Sequence, residues 1–61
     1  MPIVGIDMFE GRTIEQKRAL MRKITEAFTE TLGVPGEYVH IIIREMKREN
    51  YAEGGVPFSD K

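Results

Sequence analysis

Apolar residues fill most positions of the first segment, Pro2 to Phe9 (PIVGIDMF), with Asp7 its one charged residue. Ile3, Gly5, Asp7 and Phe9 share one face, and Val4, Ile6 and Met8 the other, as in a β-strand. Apolar residues on both faces predict a largely buried strand rather than an edge, and a proline at its first position removes no ladder donor. Glu10-Gly11-Arg12 reads as a short turn, after which the period changes. From Thr13 to Leu32, the residues Leu20, Met21, Ile24, Ala27, Phe28, Thr31 and Leu32 follow the i, i+3, i+4, i+7 spacing of an amphipathic helix. Thr13 and Gln16 have the spacing of a capping box, with Glu15 also in the favourable first turn. Gly33 and Pro35 supply the stop. Val39 to Met46 (VHIIIREM) returns to period two, with Val39, Ile41, Ile43 and Glu45 on one face and His40, Ile42, Arg44 and Met46 on the other. The tail, Asn50 to Lys61, holds Gly54-Gly55, a hairpin or turn signal, between Tyr51 and Phe58.

Strand, helix, strand and tail together predict an α+β fold. It is one domain over residues 1–61, a single β-α-β unit with parallel strands, a right-handed crossover and a short C-terminal hairpin. One helix shields only one sheet face, and the sheet edges remain open to another chain. Size points the same way. A chain of 61 residues buries only about 60% of its unfolded surface and usually needs a staple. There is no cysteine, and a single histidine cannot build a zinc site. At 41% hydrophobic the chain is too apolar to stay unfolded, so self-assembly is expected.

Nine basic and ten acidic residues leave a net charge of −1, which speaks against a nucleic-acid partner. No apolar run approaches the roughly 20 residues of a membrane span, and no secretory signal is evident at the N-terminus, so a cytoplasmic protein is expected. No phosphate-cradling glycine loop, metal-ligand cluster or nucleophile–base pair is present. The charged residues Glu15, Lys17, Arg18, Arg22, Lys23, Glu26 and Glu30 read as a mostly solvated helix face. Asp7, Glu10 and Glu45 read as candidates for pairing across an interface.

The residue with the most distinctive chemistry is Pro2. Methionine before a small residue such as proline is normally excised, which would leave a secondary amine at the N-terminus. A free α-amino group titrates near neutrality, and desolvation or neighbouring cations lower the basicity of an amine further. Such a base suits general acid–base catalysis at physiological pH, and the ring holds it stiffly. If Met1 persists, the nitrogen is an amide and has no such chemistry. On the residues alone, Pro2 is also an ordinary second residue and Arg12 a solvated arginine near a helix start.

A proline after the initiator, a short strand, Glu10-Gly11-Arg12-Thr13 leading into Glu15-Gln16-Lys17, the strand Ile42-Ile43-Arg44-Glu45-Met46 and a late Gly54-Gly55 occur in order over essentially the whole chain. In this it resembles the 4-oxalocrotonate tautomerase family. The resemblance implies a homo-oligomer, a hexamer built as a trimer of dimers, with sites across subunit boundaries and no cofactor. It implies an isomerase in which Pro2 carries a proton between positions of a small unsaturated 2-hydroxy acid, as in aromatic-compound catabolism. Arg12 would bind the substrate carboxylate, its fork suiting bidentate recognition. Tyr51 falls where the family has an aromatic pocket wall, and Phe9 at a similar pocket edge; both also read as ordinary packing residues. His40 departs from the family pattern, standing where the prototype has a second catalytic arginine. Histidine still donates a hydrogen bond but is shorter and mostly uncharged at neutral pH, which puts a dicarboxylate substrate in doubt. Arg44 has the same strand parity but lies about 13 Å farther along, too far for direct replacement. Two alternatives stay open: a family enzyme acting on another enol or unsaturated acid, and a non-catalytic oligomeric module of the same fold.

Overall fold

The computed structural model describes all residues from Met1 to Lys61. The first strand, β1, covers Ile3–Phe9, and the helix α1 covers Ile14–Leu32. The second strand, β2, covers His40–Met46, and a C-terminal hairpin is formed by β3 (Ala52–Glu53) and β4 (Val56–Pro57). Strands β1 and β2 are parallel, in a register that pairs Ile3 with His40, Asp7 with Arg44 and Phe9 with Met46. The expected β-α-β unit and hairpin are both present, with each strand starting one residue later than the periodicity predicts.

The helix begins where its sequence says it should. The Thr13 hydroxyl accepts from the Gln16 backbone N–H at 3.1 Å, and the Gln16 side chain accepts from the Thr13 N–H at 3.0 Å. This reciprocal pairing satisfies two donors that a helix start otherwise leaves orphaned. Gly33, at φ 70°, closes the other end, its N–H donating to the Thr29 carbonyl. The hairpin turn Gly54-Gly55 has φ of 60° and 83°, the left-handed pair that a two-residue type I′ connection requires.

The packing corrects three expectations. First, β1 is not a buried strand in the single chain. The sheet has only two strands, so both are edges, and no residue of the chain reaches full burial. Val4, Ile6, Met8, Ile41 and Ile43 are half-buried under α1, whereas on the other face Ile3 and Ile42 are 68% and 49% exposed. One helix over one sheet makes a slab, with Cα extents of 43 × 24 × 14 Å, and a slab that thin has no interior. Second, the covered helix stripe is Lys17, Met21, Ile24 and Phe28, while Leu20 and Leu32 of the expected stripe are exposed. Lys17 belongs to the sheet-facing side because it reaches Glu45 of β2 at 3.0 Å, an ion pair within the chain rather than across an interface. Third, Asp7 likewise pairs internally, with Arg44 at 2.8 Å on the uncovered face. The Arg44 side chain crosses Gly5 to get there, and a Cβ at Gly5 would lie 2.7 Å from its Nη2.

Candidate active site

The residues singled out from the sequence fall into two groups at opposite ends of the sheet. Pro2 precedes β1, and its carbonyl accepts from the His40 N–H at 3.0 Å, which puts Pro2 and His40 together at the N-terminal end. Phe9, Arg12 and Tyr51 instead line one open cavity of about 730 Å³ at the C-terminal end. At about 3.3 Å per residue, the run from Pro2 to Phe9 separates the two groups by about 23 Å. Within a single chain they do not form one site.

The cavity is assembled by hydrogen bonds between its walls. The Glu10 N–H donates to the Met46 carbonyl at 2.9 Å, which ties the Glu10-Gly11-Arg12 turn to the end of β2. Residues Arg48–Asn50 form a single 3-10 turn, after which the chain reverses into the hairpin, and the Phe58 N–H donates to the Tyr51 carbonyl at 2.7 Å. These constraints bring three aromatic rings together. Phe9 stacks on Phe58 with centroids 5.0 Å apart and meets Tyr51 edge-on at 5.4 Å. Offset and edge-to-face pairs at such spacings suit the ring quadrupoles. Arg48 lies over the Phe9 ring at 5.0 Å from its centroid, within cation–π range. Phe58 and Arg48 were not singled out from the sequence as site residues. A signal for Phe58 existed, since a hairpin centred on Gly54-Gly55 necessarily folds the residues flanking it toward one another. Arg48 carried none beyond its nearness to the end of β2.

The sequence profile described as Tautomerase enzyme matches residues 2–61. The chain belongs to the tautomerase family. A probable tautomerase of Bacillus cereus is 51% identical over 61 residues, covering 100% of both chains, and a probable tautomerase of Listeria monocytogenes is 47% identical over 60 residues, covering 98% of each. Among solved structures, that of YwhB, a homologue of 4-oxalocrotonate tautomerase, superimposes with a TM-score of 0.90 at 47% identity over 98% of each chain. The heterohexamer 4-oxalocrotonate tautomerase from Chloroflexus aurantiacus is similar at a TM-score of 0.87 and 33% identity, over 98% of this chain and 97% of that one.

In this chain the electrostatics of the cavity are set by which charges are already engaged. Arg44 holds the Asp7 carboxyl below its ordinary range, first by a side-chain hydrogen bond and then by Coulomb attraction. The Tyr51 hydroxyl donates to Glu53 at 3.1 Å, and that hydrogen bond is the main reason the phenol is pushed up and stays neutral. Lys61 also binds Glu53, and the two donors, Lys61 first, hold that carboxyl down. Arg12 and Arg48 are paired with no carboxylate of the chain. The cavity therefore offers an aromatic floor and two guanidinium groups, an arrangement suited to a planar, conjugated acid.

Proposed function

We propose that this tautomerase catalyses enol–keto proton transfer on a small unsaturated 2-hydroxy acid, with Pro2 as the general base once Met1 is removed. The observation that carries the reading is the division of the candidate residues between the two ends of the sheet. A two-fold axis that sets two sheets antiparallel would bring Pro2 and His40 of one copy to the Arg12 cavity of the other, as expected for a hexamer built as a trimer of dimers. The uncovered face with Ile3 and Ile42 and the unpaired strand edges supply surface for such an assembly.

Each group then has a defined task. The neutral amine takes the 2-hydroxyl proton, electron density shifts along the conjugated chain, and the resulting ammonium returns a proton to carbon, leaving the conjugated ketone. Arg12 binds the carboxylate and stabilises the negative charge that develops beside it. Phe9 and Tyr51 form an apolar wall that keeps the amine poorly solvated and therefore unprotonated. His40, beside Pro2, donates a hydrogen bond to a substrate oxygen. The proton shift needs only an amine base and a cation, so no cofactor enters the scheme.

The test is ultraviolet measurement of the ketonisation of 2-hydroxymuconate and of phenylenolpyruvate, using protein whose N-terminal mass shows that Met1 is absent. Turnover that is lost in Pro2→Ala is the expected result. An unchanged rate in Pro2→Ala would remove Pro2 from the mechanism, and no ketonisation above buffer with either compound would leave a binding module of the same fold or an enzyme for another acid; either result overturns the proposal.

A further inference from the structure

The cavity that holds Arg12 contains a second cation with no assigned task. Arg48 reaches it from the 3-10 turn after β2, whereas Arg12 reaches it from the turn before α1. Arg48 is held at its backbone and at the tip of its side chain. Its carbonyl accepts from the Tyr51 N–H at 3.3 Å, and its guanidinium carbon lies 5.0 Å from the Phe9 centroid. A guanidinium laid on an aromatic face keeps its N–H donors in the ring plane's periphery, available to an acceptor. None of those donors is used within the chain.

The acidic residues around the cavity do not neutralise the pair. Asp7 is engaged by Arg44, and Glu53 by Tyr51 and Lys61, which leaves Glu10 as the one carboxylate there without a partner. Two free guanidinium groups thus share an open cavity of about 730 Å³, within the size range of small-molecule sites, typically about 300–1,000 Å³. A ligand with one carboxylate satisfies one of them. A ligand with anionic groups at both ends of a short planar chain satisfies both.

We infer that Arg48 is a second anion-binding residue of this cavity, one that selects acids carrying a further oxyanion beyond the carboxylate held by Arg12. It rests on the proposed role of Arg12, and it assigns to the end of the sheet opposite His40 the positive charge that position 40 does not supply. Bidentate contact with a carboxylate is the interaction that a guanidinium makes best.

The test compares two unreactive probes that differ by one carboxylate, hexa-2,4-dienedioate and hexa-2,4-dienoate, titrated into the full-length protein by calorimetry. One additional charge-assisted pair should make the diacid bind about tenfold tighter or more. Arg48→Gln should reduce that preference below about threefold, whereas Arg48→Lys, which keeps a charge, should retain part of it. Arg12→Gln should weaken both probes. If Arg48 only pinned Phe9, its loss would affect both probes alike and leave their ratio intact. An intact ratio in Arg48→Gln, or no diacid preference in the wild type, overturns the assignment. Ketonisation of 2-hydroxymuconate is followed on the same preparations. A preparation that shows an Arg48-dependent preference without turnover would refute the tautomerase mechanism alone, and turnover without the preference would refute the role of Arg48 alone.

Discussion

Subunit complementation tests the division of the site directly. Pro2 and the cavity at Phe9 and Arg12 are about 23 Å apart along β1, whereas a general base works within about 3 Å of the proton it takes. No small acid bridges that gap, so a site that uses both residues, as proposed, draws Pro2 and Arg12 from different copies. Pro2→Ala and Arg12→Ala should each be nearly inactive alone. When the two are denatured together in equal amounts and refolded, a site is intact only if an Arg12→Ala chain supplies its proline and a Pro2→Ala chain supplies its arginine. With random co-assembly each condition holds half the time, so about one quarter of the sites in a symmetric oligomer are restored. Initial rates of 2-hydroxymuconate ketonisation measure the recovery, and native mass spectrometry verifies that mixed oligomers have formed. If mixed oligomers are present and the rate stays at that of the parents, Pro2 and Arg12 do not combine across copies, and the reasoning fails.

Three further outcomes follow from the same structure. A chain forced to keep Met1, by a preceding residue that blocks its excision, has an amide at Pro2 and should lose at least about 100-fold in rate, the low end of what a general base contributes; initial rates beside N-terminal mass measurements decide this. Thr13→Ala removes half of the capping box seen at the start of α1 and should cost about 1 kcal/mol, read as a fall in thermal midpoint of about 4–8 °C for a domain of this size. Because the carboxyls of Asp7 and Glu53 are held down in the folded chain, the stability they contribute is present above about pH 4 and is lost as the pH falls through their depressed folded values. Asp7→Asn should therefore lose less thermal stability than the wild type as the pH is lowered below about 4, and parallel curves would refute the contribution of the Asp7–Arg44 pair.

Local signals were legible because local forces decide them. The Thr13–Gln16 box, the Gly33 stop and the Gly54-Gly55 turn each satisfy backbone requirements within a few residues, and all three stand where the sequence puts them. The parallel orientation of β1 and β2 follows from the helical crossover between them. The stripe of α1 was harder to read, because Lys17 joins the covered side through a pairing with Glu45, 28 residues away, and hydropathy alone does not reveal such a partner. The burial expected of β1 is met within the chain on one face only. Apolar residues on both faces signal that both faces are to be covered, but not that the covering comes from the same chain. Of the candidate site, Phe9, Arg12 and Tyr51 do converge on one cavity, whereas the position of Arg48 over Phe9 depends on a turn whose sequence, Arg48-Glu49-Asn50, carries no marked signature.

The lack of any fully buried residue in the slab has a consequence for how the protein persists in solution. If the copies supply one another's core, folding and association are a single equilibrium, and the amount of protein enters its free energy through mass action. Dilution would then act as a denaturant. The melting temperature would rise with loading, and a substitution such as a polar residue at Ile3 would be felt in every copy at once. The level of expression would belong to the thermodynamics of the fold as much as any side chain does.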